Sequence, residues 1–239
     1  MANKKQLSIL KQGVKVWNKW RKENPEEEVA FSGANLDGMN LRGVNFREAK
    51  LDGTQFEGTN LGKADLSKAF LFEAYLRGAD LEAAILIDAD LRDAKISKAN
   101  LKGANLSRAN LGHAILFGAD LTEAELGGAI LTKADLRTAN LSASNLKGAI
   151  LLETNLTGTN LNKANLRRAN LNSAQILFSN LSSADLREAS LINTSLISTK
   201  VSNAKLSRSL VYGINIWDLM GEFKEQKDLV ERCNDLGYT

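Results

Sequence analysis

Residues 99–123 read ANLKGANLSRANLGHAILFGADLTE, and the same five-residue pattern runs through most of the chain. A large apolar residue stands at every fifth position from Phe31 to Ile216, without a shift in register. Two residues before it stands a small residue, which is Ala at 25 of 37 positions, Thr at 6 and Ser at 3. Only Met39, Val44 and Ile214 are larger. Because a period of five fits neither a helix nor a strand, the pattern indicates a solenoid built from repeats.

The repeat predicts an all-β solenoid, a parallel β-helix with four sides. If the chain turns by about 90° every five residues, four repeats close one coil, and stacked coils pair like parallel strands about 4.8 Å apart. The large apolar residues then stack inside about nine coils. The small residue fills a second inward position, where a larger side chain would overpack a narrow core. Asn or Asp before the central residue suits a turn, and Gly two residues after it permits a positive φ.

The motifs ADLSK (64–68), ANLKG (99–103) and ANLSR (104–108) resemble the repeats of the pentapeptide-repeat protein family, and the resemblance covers residues 31–216. It implies a right-handed quadrilateral β-helix. The segments ILKQGVKVWNKWRKENPE (9–26) and VYGINIWDL (211–219) are similar to flanks of bacterial, particularly cyanobacterial, members. Longer relatives carry a signalling-type domain after the second flank, and this sequence contains no such domain, so none of its activity is expected.

Three segments are expected along the chain. Residues 1–25 are predicted to form a basic amphipathic capping helix, with one helix over 4–23 that Pro25 ends. Residues 26–216 form the β-helix, and residues 217–239 form a C-terminal helix and tail, with the helix over 217–236. Each helix is expected to cover an open end of the stack, because solenoids need caps. The alternatives are a membrane-surface or nucleic-acid contact for the first helix and a partner-binding arm for the second.

Each outward residue can be assigned to one of four faces, because one coil holds twenty residues. Two faces are polar apart from Ile85 and Ile87, whereas two neighbouring faces carry most of the outward apolar residues. Contiguous exposed apolar surface usually marks an interaction site, so these faces are predicted to bind a protein partner or a second copy. The candidate residues are Phe70, Phe72, Tyr75, Ile115, Phe117, Ile130, Ile150, Leu152, Leu177, Ile192, Ile197, Tyr212 and Trp217. Alternatively, the C-terminal helix folds back over the candidates from residue 177 onward.

The net charge of +3 conceals a strong segregation. Residues 1–24 carry +6, residues 25–216 are neutral with 21 basic and 21 acidic residues, and residues 217–239 carry −3. The resemblance implies that some members bind DNA gyrase as mimics of DNA. Such a mimic must be strongly acidic, because its partner's groove evolved to bind phosphates, and the neutral coil does not favour this function. The body also lacks a basic stripe, so nucleic-acid binding is not expected.

No catalytic or metal-binding constellation is evident in the sequence. One histidine, His113, and one cysteine, Cys233, offer neither a Cys/His metal cluster nor a reliable catalytic triad. No Gly-rich phosphate loop or dinucleotide fingerprint is present, so no cofactor or small-molecule substrate is expected. No run approaches the ~18 apolar residues of a membrane span and no secretory signal is recognisable. A membrane partner is therefore not expected, and the cytoplasm is the simplest location.

We therefore expect a non-enzymatic protein-protein interaction scaffold with a regulatory role. Its partner is expected to bind the two apolar-enriched faces or the C-terminal end. Two alternatives are a localising module of a signalling protein whose effector domain is absent, and a DNA mimic that binds DNA gyrase.

Overall fold

The computed structural model describes residues 2–229, which form a four-sided parallel β-helix preceded by two short helices. Residues twenty positions apart pair in parallel, from the first coil to residue 225. Most repeats bond to both neighbouring coils. Asn100, for example, donates its N–H to Ala79 of the preceding coil at 3.0 Å, and Leu101 donates to Asp120 of the following coil at 2.7 Å. The predicted pairing of stacked coils is confirmed.

A tight turn follows the central residue of most repeats and produces the four-sided shape. In the repeat of Leu101, the N–H of Ala104 donates to the Leu101 carbonyl at 3.0 Å, and Gly103 has a φ of 62°. A hydrogen-bonded turn with a positive φ at its third residue is a type II turn. Many residues other than glycine adopt the same conformation, including Arg108 at 57° and His113 at 60°. Stacking therefore imposes the turn even where a side chain disfavours it.

The core consists of the predicted inward positions. Each central residue from Phe31 to Leu206 is buried, with at most 5% of its surface exposed. The small inward residues are buried as well, and most of the Thr and Ser among them donate to a carbonyl 23 residues earlier. Thr159 Oγ1, for example, donates to the Leu136 carbonyl at 2.9 Å. The polar atoms of this narrow core are thereby hydrogen-bonded.

On one side of the last coils, the turns open into three short strands. These are β1 (Gln175–Leu177), β2 (Ser195–Ile197) and β3 (Asn215–Trp217). They form a parallel sheet in the order β1-β2-β3, and each residue pairs with the one twenty positions later. The register of the coil is thus preserved through the open turns.

Two helices, not one, precede the β-helix: α1 (Lys4–Leu10) and α2 (Val14–Glu23). The single helix predicted over residues 4–23 is wrong between them, because Gly13 adopts a φ of 111° and precedes the first residue of α2. Glycine populates such a conformation without steric cost. The break lets Leu10 and Trp17 both pack into the core, where they are 1% and 0% exposed.

Trp17 is the centre of the contact between α2 and the first coil. The centroid of its ring lies 5.4 Å from that of Phe31 and 5.8 Å from that of Phe46. Its indole N–H donates to the Asn45 carbonyl at 2.9 Å, and the Asn18 side chain accepts the Asn45 N–H at 2.8 Å. The helix thus covers the apolar end of the stack and bonds to backbone groups that have no preceding coil to pair with.

Residues 217–229 contain no helix, contrary to the prediction, and continue the coil. Leu206 donates its N–H to the Glu225 carbonyl at 2.8 Å, in the pattern of the earlier coils. A helix would take this carbonyl away from the N–H of the preceding coil, and pairing satisfies both groups. Phe223 packs half-buried against the end of the core. The remainder of the predicted helix, residues 230–236, lies outside the described residues.

Candidate interaction surfaces

We number the four sides of the coil in chain order by their central residues, which recur every twenty positions. Face 1 contains Leu71, face 2 contains Leu76, face 3 contains Leu81 and face 4 contains Leu86. The residues immediately before and after each central residue form two outward columns along each face. Most of these flanking residues are half-buried or exposed, whereas the central residues between them are buried.

Faces 3 and 4 carry columns of Asn and Asp that bond within and between coils. On face 3, Asn160 Oδ1 accepts the N–H of Asn162 at 3.2 Å, and the Asn160 amide donates to Asn140 at 3.1 Å. On face 4, the Asn165 amide donates to Asn145 at 3.1 Å. The polar residue before the central Leu thus closes a local turn, as its side-chain chemistry predicted. These outward polar groups serve the repeat itself.

The predicted site residues all lie outward on faces 1 and 2. Those that are exposed are Phe70, Phe72, Tyr75, Ile115, Phe117, Ile150, Tyr212 and Trp217. Those that are half-buried are Ile130, Leu152, Leu177, Ile192 and Ile197. Phe70, Tyr75, Ile115, Ile130 and Ile150 occupy the slot before a central residue, where many other repeats carry Asn or Asp.

These residues fall into three patches along the two faces. The proximal patch comprises Phe70, Phe72, Tyr75, Ile115 and Phe117, the middle patch Ile130, Ile150 and Leu152, and the distal patch Leu177, Ile192, Ile197, Tyr212 and Trp217. Polar residues separate the patches along each face, because Asn110 and Asn170 flank the middle patch on face 1 and Asp135 follows Ile115 on face 2. A partner would therefore contact separate apolar areas.

Basic side chains pack against the aromatic rings of the proximal patch. The Arg92 guanidinium carbon lies 5.8 Å from the centroid of Phe72, and the Lys95 ammonium lies 4.0 Å from that of Tyr75. Both distances fall within the range of cation–π contacts. Arg92 also donates to Asp90 at 2.6 Å, and this side-chain bond lowers the pKa of the Asp90 carboxyl. The patch therefore combines apolar and cationic groups.

The distal patch lies on β1–β3, at the end of the described coil. Leu177, Ile197 and Trp217 stack in register, and Trp217 is 72% exposed. Phe178, beside this stack, is 66% exposed, and sequence reasoning missed it. Its slot, two residues after the central one, holds Gly, a small residue or a polar residue in the preceding repeats, and this exception could have identified it. Ile216 is 48% exposed because no further coil within residues 2–229 stacks on it.

The chain's one histidine and one cysteine do not build a reactive site in the described region. His113 is exposed on a turn, and Cys233 lies outside the described residues. Within residues 2–229, no group of three or more His, Cys, Asp or Glu side chains is placed to hold a metal ion. No helix in this part of the chain combines the length and apolarity needed to cross a membrane.

The periodicity, the turns and the stacked core are those of a repeat that has its own family model. The model of pentapeptide repeats matches the chain in 8 copies, over residues 27–62, 74–112, 114–152, 149–187 and 174–210. The chain belongs to the pentapeptide-repeat family. Its coil is therefore the right-handed quadrilateral β-helix that the sequence predicted.

Solved structures of other pentapeptide-repeat proteins are similar to this chain. HetL from the cyanobacterium Nostoc sp. strain PCC 7120, which is involved in heterocyst differentiation regulation, is 27% identical with a TM-score of 0.61, covering 87% of this chain and 92% of that chain. QnrB1, a plasmid-mediated fluoroquinolone resistance protein, is 20% identical with a TM-score of 0.46, covering 82% and 90%. A protein of the Arabidopsis thaliana thylakoid lumen is 31% identical with a TM-score of 0.31, covering 38% and 66%. Comparison with the curated proteins finds no match.

Proposed function

We propose that this pentapeptide-repeat protein is a non-enzymatic scaffold that binds a partner protein through the apolar patches of faces 1 and 2, in a regulatory role. The observation that supports the proposal is that exposed apolar residues occupy positions before a central residue, where an Asn side chain can bond to the backbone. Ile150 is 37% exposed, whereas Asn170, one coil later in the same column, accepts the N–H of Asn172 at 3.1 Å. Stability alone would favour the side chain that makes this bond, so contact with a partner explains the isoleucine better.

The scaffold function is preferred over the two alternatives considered from the sequence. A DNA mimic needs a strongly acidic surface, and the coil between residues 25 and 216 is neutral. A localising module would also use exposed surfaces, but it additionally requires that the bound or linked partner be a signalling effector domain, and no feature of the described patches selects such a domain. A second copy of the chain is a further candidate for the partner, and a cytoplasmic location fits the scaffold function.

The proposal is tested with a face variant that carries Phe72→Ser, Phe117→Ser and Leu152→Ser. The variant should fold, because Phe72 and Phe117 are 36% and 37% exposed and Leu152 is half-buried. We expect it to lose the partner that the wild type captures from a lysate, as quantified by mass spectrometry. Calorimetry with the purified partner should then show binding to the wild type only.

A matched control carries Glu82→Ser, Lys102→Ser and Thr122→Ser, in the corresponding outward column of face 3. It should capture the same partner as the wild type does. Sedimentation of the purified wild type and face variant distinguishes a second copy from another protein. In a sample that contains this chain alone, only self-association makes the sedimentation coefficient rise with concentration. Equal capture and equal sedimentation of the wild type and the face variant would contradict the proposal.

A further inference from the structure

A shallow groove crosses the proximal patch on face 2. Its floor and walls include Tyr75, Arg77, Lys95, Ser97, Ile115 and Phe117. The short side chain of Ser97 leaves a gap in its column between Arg77 and Phe117. In the other column, the Lys95 ammonium lies over the Tyr75 ring at 4.0 Å and so leans away from Ile115. The groove therefore has an apolar end and a cationic end.

Three cations border this groove, and neighbouring carboxylates do not neutralise them. Among the described residues, no carboxylate oxygen lies within 4.0 Å of the charged nitrogens of Arg77, Lys95 or Lys98. Arg137, beside the same patch, is by contrast paired with an aspartate at 2.7 Å. The lining of the groove includes a single carboxylate, Glu57. The local charge is therefore positive on a coil that is neutral as a whole.

We infer that this groove binds an extended acidic segment of the partner protein, with one aromatic or aliphatic side chain inserted between Tyr75 and Phe117. The inference rests on the proposed scaffold function and specifies the chemistry of its partner. Burial of one apolar anchor in a pocket supplies affinity, and acidic residues on either side of it complement the three cations. A nucleic acid fits less well, because Ile115 offers nothing to phosphates and the coil has no basic stripe.

The inference is tested by selecting displayed random peptides on the wild-type protein. We expect the selected peptides to be enriched in Asp and Glu around an aromatic or aliphatic residue. Their binding should weaken with added salt, because part of the attraction is between charges. A representative selected peptide is then synthesised with a fluorescent label, so that its dissociation constant can be measured.

A charge-reversed variant carries Arg77→Glu, Lys95→Glu and Lys98→Glu. All three side chains are exposed, so the fold should persist, which circular dichroism checks. We expect the labelled peptide to bind this variant at least about tenfold more weakly than the wild type. A milder variant with glutamine at the same three positions should show an intermediate loss, which keeps the test informative if the reversed variant does not fold.

The matched control reverses three exposed lysines elsewhere, with Lys63→Glu, Lys102→Glu and Lys163→Glu. It changes the net charge by the same amount and should bind the peptide nearly as the wild type does. Selected peptides without acidic enrichment, no peptide above background, an equal loss in the control, or tighter binding of a DNA oligonucleotide of equal charge would each overturn the inference. If the face variant loses the partner protein while the charge-reversed variant retains it, the scaffold function stands and the acidic-segment inference fails.

Discussion

Faces 2 and 3 share one backbone and present different chemistry. On both faces, the central residues through Leu206 are buried and the coils pair at intervals of twenty residues. On face 3, Asn140 and Asn160 bond to the backbone and to each other, whereas on face 2 Tyr75 and Ile115 occupy the same slot with apolar side chains. The inward residues therefore specify the fold, and the outward columns can change without altering it. This independence is how one fold can present many binding surfaces.

The largest expected effect on stability comes from a substitution in the core, which all four faces share. Leu106 is 0% exposed in the middle of the stack, so Leu106→Ala leaves a cavity inside the coil. We expect the free energy of unfolding to fall by about 2–5 kcal/mol, measured by urea denaturation. Lys102→Ala, an exposed position of the preceding repeat, is the control and should change it by less than about 0.5 kcal/mol. Similar losses for both variants would show that the inward stack does not dominate stability.

A smaller loss of stability is expected for Asn160→Ile, which places on face 3 the kind of apolar side chain that face 2 carries. The Asn160 side chain accepts the N–H of Asn162 at 3.2 Å, donates to Asn140 at 3.1 Å and accepts from Asn180 at 3.3 Å. Losing these partly exposed bonds should lower the free energy of unfolding by about 1–3 kcal/mol. Urea denaturation measures this loss. Unchanged stability would remove the argument that apolar residues in Asn slots need a reason other than folding.

The reverse exchange, Ile115→Asn, is expected to be close to neutral for folding. Ile115 is 39% exposed, and an amide in its place can accept the N–H of Phe117 as Asn160 accepts that of Asn162. The free energy of unfolding should change by no more than about 1 kcal/mol, with a gain allowed, while binding of the selected acidic peptide weakens. Urea denaturation and peptide titration measure the two effects. A loss as large as that of Asn160→Ile would mean that Ile115 serves the fold rather than a partner.

The sequence allowed us to predict which residues point inward and on which face each outward residue lies, because every repeat shows the same spacing of large and small residues. Asn100 and Leu101 have the same roles as their equivalents five residues away, so counting by five separates inward from outward positions, and counting by twenty identifies the face. Local spacing is sufficient here, because the backbone pairing repeats with the same period. The same logic placed Tyr75 and Ile115 on face 2.

The ends of the coil could not be predicted from spacing, because their structure depends on the backbone edge of a neighbouring coil. The apolar residues of 4–23 have helical spacing, yet Gly13 interrupts the helix so that Leu10 and Trp17 can both reach the core. Residues 217–229 have an apolar pattern typical of a helix, yet they pair with the preceding coil, as the bond from Leu206 to Glu225 shows. Backbone groups at the unpaired edge of a coil need hydrogen-bond partners, and this requirement overrides the helical spacing of the apolar residues.

The candidate site was likewise predictable in placement and not in detail. The division into patches depends on which residues meet on successive coils, such as Ile115 beside Asp135. The positive charge of the groove depends on which bases find a carboxylate, and Arg137 does so while Arg77 does not among the described residues. These contacts depend on the length and the direction of each side chain. The spacing of residue types along the chain does not specify the direction of a side chain or which partner it reaches.

The smallest expected effect concerns charge at the corner between faces 4 and 1. The Glu188 carboxylate accepts hydrogen bonds from Arg168 at 2.7 Å and from Arg167 at 2.8 Å, and Arg208 lies at 3.4 Å. The bonds from Arg168 and Arg167 lower the pKa of Glu188 from 4.5 to about 2. Because the folded-state pKa lies below the unfolded value, ionised Glu188 stabilises the fold above pH 4.5, and this contribution is lost as the pH falls toward about 2.

Glu188→Gln should therefore flatten the dependence of the melting temperature on pH between about 4.5 and 2, and lower it only slightly at neutral pH, because exposed ion pairs contribute little. Calorimetric scans at low salt measure the difference, which added salt should reduce. Glu123→Gln is the control, since Glu123 has no basic nitrogen within 4.0 Å among the described residues. Parallel curves for wild type and Glu188→Gln would show that the three arginines do not hold this carboxylate in solution. The outward charges would then be as independent of the fold as the apolar residues of face 2.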